Sequence, residues 1–147
     1  MEITVDSCAV DNVGPETVAE AFAVPESDKS KKGFQYIVAD GTKIPNQGEK
    51  WISGYGEDWQ PVRFTMQVAP VKKVLGSVAK ICGAGNKVVF DDEEGNYIEN
   101  KATGARTWVT KRNGVYLYEM WVKKGNEAKT MEKPNEITTQ DAEGDIE

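Results

Sequence analysis

The first residue of this chain able to do chemistry is an acid. Ile3-Thr4-Val5 is a β-branched apolar run that delivers Asp6 into a turn of small residues, Ser7-Cys8-Ala9. That is the layout of a strand presenting one carboxylate at its end. The chain contains no histidine. Ser-His-Asp and Cys-His catalysis are thereby excluded, as are histidine-ligated zinc sites, and two cysteines cannot build a four-thiolate site. Acid-base chemistry must come from carboxylates, lysines or tyrosines. Carboxylates also cluster at Asp91, Asp92, Glu93 and Glu94. They lack the alternating spacing of a calcium loop, so the segment reads as a charged hairpin tip. Neither a metal site nor a cofactor is expected.

A carboxylate needs a scaffold, and the composition supplies one. The 147 residues suit one domain, with 39% hydrophobic and 29% charged residues. The net charge of -6 argues against nucleic acid as a partner, because displacing counterions from phosphates requires a basic face. Lys29-Ser30-Lys31-Lys32 is a local basic patch and reads as a solvated loop. No apolar run approaches a membrane span, and no signal peptide is visible. Cys8 and Cys82 stand far apart in sequence. They read as reduced, small buried side chains in an intracellular reducing compartment.

The elements follow from pattern. After the opening strand, residues 16–23 are expected to form a short helix between Pro15 and Pro25, and residues 26–33 an exposed loop. Residues 34–39 read as a strand running into Asp40-Gly41, a strong hairpin-turn dipeptide. Residues 49–55 and 62–68 both alternate polar and apolar, which predicts an antiparallel hairpin with one buried face. Residues 77–83 predict a short helix with Ser77 as N-cap and Val78, Ile81 and Cys82 facing inward. Strands are expected at residues 86–90, 97–100, 106–110 and 115–122, the last two separated by an Asn113-Gly114 turn. Most of Trp51, Trp59, Trp108 and Trp121 are expected to pack in the core or on sheet faces rather than to line a peptide groove. Residues 123–147 are polar and acidic and read as a disordered tail. The sum is a mostly-β domain, a barrel or sandwich, with one or two short helices.

Three segments stand in a telling order: Asp6-Ser7-Cys8-Ala9; then Val38-Ala39-Asp40-Gly41-Thr42-Lys43-Ile44-Pro45 with Gly48; then Val74-Leu75-Gly76-Ser77-Val78-Ala79-Lys80-Ile81-Cys82 leading to Gly85-Asn86-Lys87-Val88-Val89-Phe90. This order resembles the protease region of copia-type retrotransposon polyproteins. The segment with Asn100-Lys101-Ala102-Thr103-Gly104 and Gly114-Val115-Tyr116-Leu117 resembles the β-rich stretch that leads toward integrase. The resemblance spans residues 3–122. It implies a retropepsin-like acid-protease barrel over residues 1–90, with residues 91–122 as a β-rich extension. It also implies an aspartic endopeptidase acting on polypeptides as a homodimer, each copy giving one aspartate. Asp6 is then that aspartate and Ser7 the hydroxyl that steadies the paired turns. Asp40, Gly41, Thr42 and Ile44 fall in the flap, and Cys8, Ala9, Leu75 and Gly76 support the catalytic turn. The family carries glycine where Cys8 stands. The alternative is a catalytically inactive domain of the same fold, serving as a binding or structural module in a larger assembly.

Overall fold

The computed structural model describes residues 1–122. The expected tail lies outside them. Among the described residues there are two helices, α1 (Asp28–Lys31) and α2 (Val78–Gly83), and everything else regular there is strand, apart from one 3-10 turn at Glu57–Trp59. Ten strands form one sheet: β1 (Glu2–Asp6), β2 (Val13–Gly14), β5 (Gly48–Tyr55), β6 (Pro61–Val68), β7 (Val74–Ser77), β8 (Asn86–Val89), β9 (Asn96–Asn100), β10 (Arg106–Arg112), β11 (Val115–Glu119) and β12 (Trp121–Val122). The remaining two, β3 (Gln35–Ile37) and β4 (Lys43–Pro45), make a separate hairpin.

The strand order is β12-β5-β6-β2-β7-β1-β11-β10-β9-β8. It has two ends, so no closed sheet forms. It is nevertheless strongly rolled. Six strand spacings separate β11 from β12 in that order, about 29 Å in a flat sheet. Yet Met120 alone separates them in sequence, a reach of about 7 Å. The β12–β5 end must therefore curl back to β11. Met120 N–H donates to Met1 O at 2.9 Å, carrying the β1·β11 ladder up to the point where the chain changes partner from β1 to β5. One apolar cluster fills the roll, with Ile3, Ile52, Phe64, Met66, Ile81 and Met120 all essentially inaccessible.

Centrally, β1 lies between β7, to which it is parallel, and β11, to which it is antiparallel. On the far side of β7 comes β2, antiparallel to β7 and parallel to β6. Crossing the chain in this way places the segment that leaves Asp6 on the other side of β7 from the strand that arrives there. Residues 86–119 continue the sheet as an antiparallel meander, joined to the rest through β11.

Several expectations hold. The β5·β6 hairpin pairs Gly48 through Tyr55 with Val68 through Pro61, Asn113-Gly114 turns β10 into β11, and Ser77 caps α2 by accepting from Lys80 N–H. Others are corrected. Residues 16–23 form turns, not a helix, and the cause is tertiary. The Lys50 ammonium, buried at 1% exposure, takes the carbonyls of Glu16, Val18 and Ala19, and Ala19 sits at φ 50. The expected loop at 26–33 contains α1, built on a reciprocal Ser27–Ser30 capping box. Cys82 faces solvent while Ile81 and Val78 pack inward, and Cys8 is exposed as well. Trp59, Trp108 and Trp121 are exposed and so lie outside the core, though Trp108 packs edge-on against Tyr97 of the neighbouring strand and Trp121 stacks with Trp59. Finally, β6 is buried on both faces from Phe64 to Val68, because Thr65 and Gln67 lie under a second layer of polar side chains.

Candidate functional site

The chemistry begins at the C-terminal end of β1. Asp6 pairs in register with Ser77 of β7 and then leaves the sheet. Its carboxylate Oδ1 accepts the Cys8 backbone N–H at 2.8 Å, closing a tight turn in which Ser7 and Cys8 are exposed and Asp6 is half-buried. Among the described residues only Ala19, Trp59 and Asn113 combine a side chain with positive φ. Cys8 is not one of them, so the turn makes no backbone demand for glycine at residue 8. What Cys8 adds is an exposed thiol at the tip.

Beneath the turn lies a polar brace. Ser77 Oγ donates to Ala9 O at 2.7 Å, and Ser77 N–H donates to Asn12 Oδ1 at 2.9 Å. Asn12 Nδ2 donates to Thr65 O at 3.2 Å, and Asn12 O accepts Gln67 N–H at 2.8 Å. Asn12 thus ties β7 to β6 beside the turn. Gly76 closes the back of the site. A Cβ there would stand 2.9 Å from Ile3 Cγ2, so the β1·β7 pair keeps its spacing only with glycine. Leu75, its neighbour, is half-buried and pairs with Thr4 on one side and Val13 on the other.

Asp40, Gly41 and Thr42 form the exposed tip of the β3–β4 hairpin, with Gly41 at φ 85. Thr42 N–H donates to Asp40 Oδ1 at 2.8 Å, and the Thr42 hydrogen bonds hold the Asp40 carboxyl below its ordinary value. Ile44 is half-buried and packs with Val13, Tyr36 and Ala69. The hairpin is therefore seated on the strand that follows the Asp6 turn.

Sequence reading missed the residue that joins these two parts. Asp11 is 1% exposed. Its Oδ2 accepts the Tyr36 hydroxyl at 2.8 Å and the Lys29 ammonium at 2.5 Å, while Lys80 Nζ stands 3.8 Å from Oδ1. Asn46 donates to Tyr36 Oη at 3.1 Å and to Gln67 Oε1 at 2.8 Å, and its own Oδ1 accepts from Ser27 Oγ. Gln67 in turn donates to Glu49, which also accepts from Trp51 Nε1. The only hint in the sequence was the acid-amide pair Asp11-Asn12 inside turn chemistry.

A cleft of about 520 Å³ opens elsewhere, lined by Glu16, Thr17, Glu20, Phe22, Ala23, Val24 and Lys50, and contains none of the residues above. Burial pushes the Lys50 ammonium below its ordinary value, against the opposing pull of Glu16 and Glu20. Among the described residues no cluster of acids and thiols could hold a metal ion, and no helix is long and apolar enough to cross a membrane. Comparison of the chain with protein-family models, with curated proteins and with solved structures finds no match.

Proposed function

We propose that this chain is a retropepsin-like domain of retrotransposon origin, and that two copies together form an aspartic endopeptidase. The observation that carries the reading is the Asp6 turn. One carboxylate stands at a strand end, with one oxygen held by the Cys8 N–H at 2.8 Å. The strand crossing around β7, followed directly by α2, supports it, as does the β3–β4 hairpin seated on β2.

A lone carboxylate of this kind can hold or accept one proton and cannot do both jobs. Two brought together share a proton. The ionised member takes a proton from water as the water oxygen attacks the scissile carbonyl carbon. The protonated member donates to the carbonyl oxygen, giving a neutral tetrahedral diol. On collapse the protonated member gives its proton to the leaving nitrogen, the C–N bond breaks, and the ionised member takes a proton from a diol hydroxyl, which leaves the product carboxyl group and restores the shared-proton pair. In this scheme Ser7, exposed beside Asp6, reaches across to the partner turn.

A specific feature favours a second reading. The Cys8 thiol projects at the tip where the two turns must approach, and in that case the same fold serves as an inactive binding or structural module. Peptide cleavage at acidic pH separates the two. The protease reading expects cleavage by the parent and a fall of about a hundredfold or more in Asp6→Asn. Cleavage that survives Asp6→Asn removes Asp6 from the chemistry. Cleavage seen only after Cys8→Gly, and lost again when Asp6→Asn is added, assigns the natural chain to the inactive module.

A further inference from the structure

The β3–β4 hairpin is a two-stranded sheet of its own. A two-stranded hairpin is marginal without other support. Its apolar support includes the cluster of Val13, Tyr36 and Ala69 with Ile44 and Val71. Its polar support includes the Tyr36 hydroxyl, which donates to Asp11 and accepts from Asn46, and Lys29, which is bound to Asp11 and stands 4.6 Å from the Phe34 ring. Asn46 also takes part in the backbone, donating its N–H to Phe34 O at the base of the hairpin. Beyond that base the hairpin is solvent-facing: Ile37, Val38, Asp40, Gly41, Thr42 and Lys43 are all exposed.

Asp11 leads the other way as well. It adjoins Asn12, whose side chain accepts Ser77 N–H, and Ser77 holds Ala9 O in the Asp6 turn. Two sets of hydrogen bonds, joined through the backbone between Asp11 and Asn12, therefore connect the base of the hairpin, through Tyr36, to the turn bearing Asp6. We infer that Tyr36 and Asp11 are positioning residues: their buried hydrogen bond is the latch that fixes the β3–β4 hairpin as a lid relative to the Asp6 turn. The lid's role over a bound peptide rests on the protease reading; the latch itself does not.

Tyr36→Phe is the discriminating variant. It keeps the ring, its packing on Val13 and its edge-on contact with Phe34 at 5.0 Å, and removes only the hydroxyl. Asp11 retains Lys29. Amide hydrogen exchange is followed by mass spectrometry in the full chain, comparing residues 34–45 with residues 48–68. The latch expects exchange in residues 34–45 to quicken about tenfold, with residues 48–68 unchanged. In Asp11→Ala combined with Tyr36→Phe, the acceleration in residues 34–45 should fall short of the product of the two single effects, because the changes share the Tyr36–Asp11 bond although each also removes a contact of its own, Lys29 from Asp11 and Asn46 from Tyr36; effects that simply multiply overturn the latch. Unchanged exchange in residues 34–45 of Tyr36→Phe overturns the latch. So does an equal acceleration in both segments, which marks general destabilisation. Where the parent cleaves peptide, Tyr36→Phe should raise KM severalfold with kcat kept within about twofold. A parent that cleaves nothing removes the protease reading and leaves the exchange result to decide the latch.

Discussion

Ser77→Ala tests the brace beneath the Asp6 turn. The Ser77 side chain is fully buried, and its single oxygen does two jobs. It accepts Lys80 N–H at 3.2 Å as the N-cap of α2, and it donates to Ala9 O at 2.7 Å. Loss of a serine N-cap costs about 1 kcal/mol. Loss of the second hydrogen bond, with its carbonyl left in a partly buried site, costs about another 1 kcal/mol. The expected destabilisation is therefore about 2 kcal/mol, twice what a cap alone explains. With a urea slope of about 2 kcal/mol per M, the unfolding midpoint should fall by about 1 M. Amide exchange adds a local signature: residues 7–10 should lose protection beyond the global change, because Ala9 O is no longer held. A midpoint shift below about 0.3 M, or a turn whose exchange merely follows the rest of the chain, would refute the view that Ser77 fastens the candidate catalytic turn.

Lys50→Met keeps an aliphatic stem and leaves the carbonyls of Glu16, Val18 and Ala19 without their donor; urea unfolding should register a loss of about 2–4 kcal/mol, with residues 16–20 becoming the first site of limited proteolysis. Gly54→Ala places a Cβ 2.1 Å from Trp121 O, so the β5·β12 pairing must open; the cost should be about 1–3 kcal/mol by thermal unfolding, against less than about 0.5 kcal/mol for a control at exposed Gly83. Glu99 is held below the ordinary carboxylate value, first by its hydrogen bond from Arg106 and then by Lys87. A carboxylate depressed in the folded state binds its proton more readily when unfolded, so its contribution is present above the unfolded value and is lost as pH falls through the folded one. Glu99→Gln should accordingly flatten the acid limb of a stability-versus-pH curve while leaving the neutral region nearly level.

The sequence alone determined what depends on near neighbours. The β-branched run before Asp6, the alternation through residues 62–68, the Asn113-Gly114 turn and the Ser77 cap are properties of a few consecutive residues, and each is found where its pattern places it. The mostly-β class follows from their sum. Tertiary structure decided everything whose partner lies far along the chain. Residues 16–23 carry a helical pattern, but Lys50, some thirty residues on, takes the carbonyls that helical N–H groups need. Lys29 sits in a polar run that looks solvated, yet it is bound to Asp11, a buried carboxylate that also engages Tyr36. The alternation in β6 announced one polar face and could not announce that Asn12, Asn46 and Glu49 would cover it. The roll of the sheet rests on Met120 sitting between two strands that pair at different places in the order. The candidate site divides in the same way. Asp6 and its turn are local and legible. Ser77 as turn brace, Asn12 as cross-tie and Asp11 as hub are not, because a buried polar side chain is defined by the distant groups that satisfy it.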